Sequence, residues 1–253
     1  MKINKIYFSP TGHTKEIIDY VAEYLSDEIN YIDLSAPECD FSKYVFDSDD
    51  ICIFAVPSFG GRVPDIAVRR LNELQGNGNL SIIIATYGNR HYDDTLLELK
   101  NTVMGRGFEP FAAIACVCQH SIMKDIAKNR PDKFDFEELK EFSEIIKRHI
   151  DKNELEIVDV PGNMPYKDFS GVPFKPFSND KCIFCKKCAN KCPVQAIPFN
   201  SPDKTFNEIC ISCMRCVEIC PVKARSLGEE NLKIITEKFA PMCKVRKENE
   251  LFI

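Results

Sequence analysis

Through residues 1–152, short continuous apolar runs alternate with segments of helical period. The runs cover 3–8, 29–34, 51–56, 80–86 and 111–118. Each is too short for a helix and is apolar on both faces, as strands buried between two helical layers are. Between them, Ile17, Ile18, Val21 and Leu25 form one helical stripe, and Val68, Leu71 and Leu74 form another after Pro64, a first-turn position. Leu96, Leu97 and Val103 begin a third, and Phe142, Ile145, Ile146 and His149 a fourth. The pattern predicts an α/β domain with a doubly wound, five-stranded parallel sheet, which binds ligands at the carboxyl ends of its strands.

Periodicity then stops. Residues 153–177 carry Pro161, Gly162, Pro165, Gly171, Pro173 and Pro176, a stiff connector rather than a flexible tether. We expect a first domain at 1–152, this connector, a small second domain at 178–228 and a tail at 229–253. The tail predicts a helix from Asn231 to Phe239, broken at Pro241. Its apolar end, Leu251-Phe252-Ile253, either docks on the first domain or stays unordered.

The second domain is defined by its cysteines. Cys182, Cys185, Cys188 and Cys192-Pro193 are answered by Cys210, Cys213, Cys216 and Cys220-Pro221, so that C-x2-C-x2-C-x3-C-P occurs twice. This matches the bacterial two-cluster ferredoxin spacing, an α+β fold in which the fourth thiolate of each run serves the cluster of the other. The expected ligands are Cys182, Cys185, Cys188 and Cys220 for a first [4Fe–4S] cluster, and Cys192, Cys210, Cys213 and Cys216 for a second. Zinc ribbons and disulfide frameworks fit less well, because eight cysteines stand close together with no His among them. CPVQAI answering CPVKAR extends the repeat beyond the ligands.

Composition narrows the setting. The sequence after Lys2 reads directly into an apolar strand with no cleavage site, and no apolar stretch reaches the ~18 residues of a membrane span. Thirteen cysteines, an odd number, suit reduced thiols and a cytoplasmic location. Cys52, Cys116 and Cys118 sit in apolar runs as small core residues, whereas Cys39 and Cys243 have no assigned role. Residues 1–177 hold 20 Lys and Arg against 29 Asp and Glu, and residues 178–253 hold 13 against 9. That basic excess reads as an offset to cluster charge, roughly two negative charges each, and not as a nucleic-acid surface.

Three loops carry the remaining chemistry. Ser9-Pro10-Thr11-Gly12-His13-Thr14 follows the first strand and opens a helix. Such a run can hold a phosphate through hydroxyls and backbone N–H groups, although Ser and Thr are equally at home as helix caps. Pro57-Ser58-Phe59-Gly60-Gly61 follows the third strand, and Tyr87-Gly88-Asn89-Arg90-His91-Tyr92-Asp93 the fourth. Gly60 and Gly61 allow a peptide to reorient beside a flavin ring.

The first loop resembles the S/T-x-T-G-x-T phosphate loop of flavodoxins, and the other two fall where that family contacts its flavin. At full length the chain resembles the flavodoxin–ferredoxin fusion proteins called EFR-type ferrodoxins. The likeness extends to His120-Ser121, Ile126-Ala127, Arg130-Pro131-Asp132, Val160-Pro161-Gly162-Asn163-Met164-Pro165-Tyr166 and Arg246-Lys247-Glu248-Asn249-Glu250. It implies a flavodoxin-like fold, FMN and two [4Fe–4S] clusters. FMN would be held by Ser9, Thr11, Gly12, His13, Thr14, Pro57, Ser58, Phe59, Gly60, Gly61, Tyr87, Gly88, Asn89, His91, Tyr92 and Asp93. The chain has no Trp, so Phe59 and Tyr92 are expected on the two faces of the ring. Arg62 and Arg90 either stabilise a reduced anionic flavin or point to water. The extra segment 119–135 is expected between flavin and clusters, with His120 and Arg130 its notable polar residues.

The favoured function is electron transfer between the clusters and FMN, exchanging electrons with a redox partner protein. The alternative is reduction of a small organic acceptor, with Tyr87, His91, Tyr92, His120 or Arg62 as proton donor or anchor. A redox-sensing module ranks third. No Gly-rich dinucleotide fingerprint is present.

Overall fold

The computed structural model describes residues 2–37 and 39–253. Its first body has the elements β1 (Ile3–Tyr7), α1 (His13–Leu25), β2 (Ile29–Asp33), β3 (Ile51–Pro57), α2 (Asp65–Leu71), β4 (Asn79–Tyr87), α3 (Thr95–Met104), β5 (Phe108–Val117) and α4 (Lys133–Lys152). The first five strands are parallel in the order β2-β1-β3-β4-β5, which is the flavodoxin-like winding.

The sheet is buried on both faces. Phe54, Val56, Ile83 and Ala85 meet Ala67, Leu71, Leu96 and Leu99 of α2 and α3, while Ile53, Ala55, Ile82 and Ile84 meet Ile17, Ile18, Leu139 and Ile146 of α1 and α4. Each large aliphatic side chain buried this way contributes about 1.5–3 kcal/mol. Cys52 and Cys116 are fully buried in these layers. Helix α4 starts with a capping box, Asp132 accepting from the Phe134 and Asp135 backbones while Asp135 reaches back to the Asp132 N–H.

The sheet has a sixth strand. β8 (Glu250–Phe252) pairs antiparallel with β5, Ile114 opposite Leu251, so the end of the tail covers an edge that would otherwise expose an apolar strand. The five-stranded parallel sheet is therefore complete, with an added antiparallel edge.

The second body pairs β6 (Phe177–Ser178) with β7 (Arg225–Ser226) around two short helices, α5 (Lys187–Asn190) and α6 (Arg215–Glu218). Its halves are one backbone built twice. Phe184, Lys186 and Gln195 have φ of 53°, 62° and 54°, and Ser212, Met214 and Lys223 have 54°, 62° and 53°. Each pair is 28 residues apart, as in 184 to 212. Left-handed conformations cost non-glycine residues roughly 1–2 kcal/mol each, so their repetition at matched positions marks a shape that the loops must hold.

The bodies are joined over a broad surface. Val158 and Val160 of the connector are buried in the first body's core, and the Val158 N–H donates to Pro110. Further on, the backbone N–H groups of Asn163 and Lys167 donate to the Asp94 carboxylate at 2.8 and 2.6 Å. Met123, Met214, Leu227 and Ile235 form a small core between the bodies, Ile235 coming from α7 (Glu229–Phe239). Arg70 of α2 donates to the carbonyls of Leu34 and Pro193, and Arg215 of α6 donates back to Ser35. After α7, the turn Ala240–Cys243 leads the chain back toward β8.

Candidate functional site

A cavity of about 710 Å³ opens at the carboxyl ends of β1, β3 and β4. Its floor is the three sequence-predicted loops, and its roof comes from the connector, the second body and α7. Thr11, His13, Thr14, Pro57, Ser58, Phe59, Gly60, Gly61, Tyr87, Gly88 and His91 all line it.

At the first loop Gly12 takes φ 100° and caps α1. The Glu16 N–H bonds Gly12, the Lys15 N–H bonds the Ser9 hydroxyl at 2.9 Å, and the Thr14 hydroxyl lies 2.8 Å from that of Thr86. Among the described residues no protein acceptor takes the N–H of Gly12, His13 or Thr14, or the Thr11 hydroxyl. Unclaimed donors at a helix N-terminus suit a phosphate. Ser9 does not line the cavity, because its hydroxyl is spent inside as a cap and its own N–H goes to Ser35.

The second loop is a tight turn. Phe59 and Arg62 exchange backbone hydrogen bonds at 2.9 and 3.2 Å, with Gly60 and Gly61 at φ 64° and 93° between them. A Cβ on Gly60 would stand 2.2 Å from the Phe169 ring, and one on Gly61 2.2 Å from the Asp93 carboxylate. Phe59 is half-buried, edge-on to Phe8.

In the third loop a Cβ on Gly88 would meet His120 at 2.5 Å. His120 accepts from the N–H groups of Ile122 and Met123 through Nδ1, both at 3.1 Å, which leaves its proton on Nε2. Burial, together with the Arg90 charge, lowers its pKa to about 4, so the ring is neutral. Cys118 also lines the cavity, and burial pushes its thiol up to about 12.

Several expected positions move away from the flavin loops. Tyr92 is buried under His91, which stacks on it at 5.0 Å, and its hydroxyl donates to Glu250. His91 therefore presents the ring at the cavity wall in place of Tyr92. Asn89 faces the tail, its amide donating to the Cys243 and Val245 carbonyls and its oxygen accepting from Lys247. Asp93 is held by Arg90 and Lys167. The Arg62 side chain forms a two-toothed pair with Glu98 and stacks on Tyr166, so it neither lines the cavity nor stands loose in water. Arg130 grips Asp135 and the Lys247 carbonyl. Phe169, Ser212, Lys238 and Met242 line the cavity without any local sequence signal, since each arrives from a different body or from the tail.

The cysteines fall into groups that cut across the sequence. Cys192, Cys210, Cys213 and Cys216 line one cavity, which the second run alone could not do. Cys192 sits close enough to raise the thiol pKa of Cys210, Cys213 and Cys216, below burial as the leading cause in each. The fourth cysteines are treated alike, for Cys192 and Cys220 each accept an N–H, from Ala196 and Ala224, at 3.2 Å. Arg225 is buried beside Cys210, Cys216 and Cys220, and its Nε has no partner. A buried cation near thiols, with an N–H unpaired by protein, fits a sulfide-bearing cluster. All thirteen cysteines are free. Among the described residues no three His, Cys, Asp or Glu side chains converge as they would on a single metal ion.

Two residues belong to both sites. Ile211 and Cys213 line the cluster cavity and, with Ser212, the roof of the large cavity.

Residues 176–221 match the 4Fe-4S dicluster domain family. The first body is similar to the Streptococcus pneumonia TIGR4 flavodoxin, at 22% identity and a TM-score of 0.41 over 57% of this chain and 96% of that one. It is similar to rubredoxin oxygen:oxidoreductase from the anaerobe Desulfovibrio gigas at 18% identity and 0.45, over 60% of this chain but 37% of that one. A Fusobacterium nucleatum flavodoxin bound to flavin mononucleotide matches at 12% and 0.40, over 58% and 98%. No curated protein matches. The chain is an electron-transport protein, a flavodoxin-like body fused to a dicluster iron–sulfur domain. Among the described residues no helix is long and apolar enough to cross a membrane.

Proposed function

We propose that the chain carries electrons between two [4Fe–4S] clusters and one FMN, as an EFR-type flavodoxin–ferredoxin fusion. The observation that supports this reading most is the position of Cys213 in the walls of both cavities. When bound, each cluster supplies one-electron chemistry and FMN supplies one- or two-electron chemistry.

Cys182, Cys185, Cys188 and Cys220 would hold the first cluster, and Cys192, Cys210, Cys213 and Cys216 the second. Thr11 and the free N–H groups of Gly12, His13 and Thr14 would hold the FMN phosphate. The turn from Phe59 to Gly61, with Tyr87, Gly88 and His91, would border the ring. His120 holds a proton at Nε2, a hydrogen-bond donor in a neutral side chain. Arg70 and Arg215 fix the second body to the first, which keeps the path between cofactors constant.

The second reading, reduction of a small organic acceptor, draws on the far wall of the cavity, where Lys238 and Met242 stand beyond the flavin loops. A reducing cytoplasm suits thirteen free thiols in either case. The test is anaerobic reconstitution. The loaded chain should contain about eight iron and eight sulfide with releasable FMN, and photoreduction of the clusters should reduce the flavin at a rate independent of protein concentration. A concentration-dependent rate, or four iron per chain, refutes the reading. Rapid turnover with a screened organic acceptor would favour the second one.

A further inference from the structure

The two cysteine groups differ in what they face. Cys213 is buried and lines the flavin cavity, whereas Cys185 is the one exposed cysteine among the thirteen. Around Cys185 stand three large apolar side chains in water: Ile183 is 60% exposed, Phe184 57% and Phe199 52%. Lys186 lies over the Phe199 ring at 4.0 Å, so the segments 183–187 and 199 form one surface. Lys181, Lys187 and Lys191 are exposed on the same short stretch of chain.

Among the described residues none of these four ammonium groups is ion-paired. Asp180 is the single carboxylate within the stretch 179–199, and Asp203 and Lys204 on the neighbouring loop offset each other. The surface is therefore apolar at its centre and cationic at its rim, the anatomy of a protein interface rather than of a phosphate-tracking groove. The first body and connector have the opposite charge, 20 Lys and Arg against 29 Asp and Glu across residues 1–177, so an approaching anionic protein is steered toward this end.

We propose that this face, from Lys181 to Lys191 with Phe199, is the docking port for an acidic one-electron carrier protein, which exchanges electrons with the chain at the Cys185 cluster. The inference rests on the proposed two-cluster path. One electron leaves the reduced cluster of the partner and one enters the cluster behind Cys185, or the reverse. No proton and no further reactant takes part. None of the port's residues lines the flavin cavity, so partner and flavin do not compete for space.

The test uses the full chain with its cofactors loaded and a low-potential acidic ferredoxin as probe, titrated by calorimetry. Binding should weaken about tenfold or more between 50 and 300 mM salt, as expected for steered, oppositely charged surfaces. Lys187→Glu with Lys191→Glu should weaken it by a similar factor at low salt, and Phe184→Ala should weaken it at any salt. Lys147→Glu with Arg148→Glu, on the far helix α4, should leave it unchanged. Iron content and visible spectra identify any variant that fails to load, and the salt series on the unaltered chain stands without variants. Binding that ignores both salt and charge reversal overturns the port. Equal or tighter binding of a single-stranded oligonucleotide or of anionic phosphatidylserine vesicles also overturns it. Photoreduction by 5-deazaflavin separates the two proposals: if flavin reduction persists in the Lys187/Lys191 variant the internal path stands whatever the port does, and if it fails in the unaltered chain the path itself is refuted.

Discussion

Phe169 lies so close to Gly60 that a Cβ there would overlap its ring. A residue of the connector thus covers the turn that borders the flavin cavity, and the glycine is what allows the contact. Gly60→Ala should therefore do two things. It puts a side chain at φ 64°, at roughly 1–2 kcal/mol, and it pushes Phe169 outward. FMN affinity, followed by fluorescence, should fall. Gly60→Ala with Phe169→Ala should recover the part due to overlap but not the part due to φ.

Asn89 makes three hydrogen bonds to the chain between Cys243 and Lys247. Asn89→Leu removes all three and leaves buried groups unpaired, a loss of about 2–4 kcal/mol. The loss should appear as faster hydrogen exchange in β8 and α7, with β1 and β3 unaffected. Uniform exchange across the sheet would show that Asn89 does not act through the tail.

Cys220→Ser should damage the same cluster as Cys185→Ser, and Cys192→Ser the same one as Cys213→Ser. The shared cavity of Cys192 with Cys210, Cys213 and Cys216 sets the second grouping. Low-temperature electron paramagnetic resonance of the four variants checks it; grouping by sequence run would contradict it.

Arg225→Gln removes a buried cation beside three thiols of the second run, of which Cys210 and Cys216 are assigned to one cluster and Cys220 to the other. The reduced clusters carry more negative charge and lose more by the change, so potentials should drop by about 60 mV or more, a tenfold shift for one electron. Potentiometric titration reads this directly.

His120 has a folded pKa of about 4 against 6.5 unfolded, through burial first and the Arg90 charge second. The unfolded chain takes up the proton first as pH falls. The stability due to the neutral ring is present above pH 6.5 and is lost between 6.5 and 4, by at most about 1.4 kcal/mol per pH unit. His120→Asn should flatten the acid limb of Tm against pH across that window.

The strands were legible because each is a continuous apolar run, and Ile53 and Ile84 need no partner information to be read as buried. The cysteine spacing was legible for a similar reason, since ligand positions follow local turns. What the sequence hid is long-range. Glu250–Phe252 is a strand of three residues with no period of its own, fixed by the open edge of β5. Arg62 reads as a flavin contact because the sequence assigns its loop to the flavin, and only the fold brings Glu98 of α3 to it. Tyr92 has the right residue type beside the ring, but a strand's end turns it inward to Glu250 and leaves His91 facing out.

The duplicated backbone of the second body has a front and a back. Phe184 and Lys186 occupy one copy where Ser212 and Met214 occupy the other, with the same φ at each pair. Phe184 stands in water, while Ser212 and Met214 are buried against the rest of the molecule, where Ser212 donates to Phe174. A half-turn about the internal pseudo-axis would leave the main chain almost superimposed yet would bury a lysine and an aromatic knob and expose a methionine. The sense in which this module is mounted is thus written in two pairs of side chains, and exchanging them should produce a molecule that no longer knows which way round to sit.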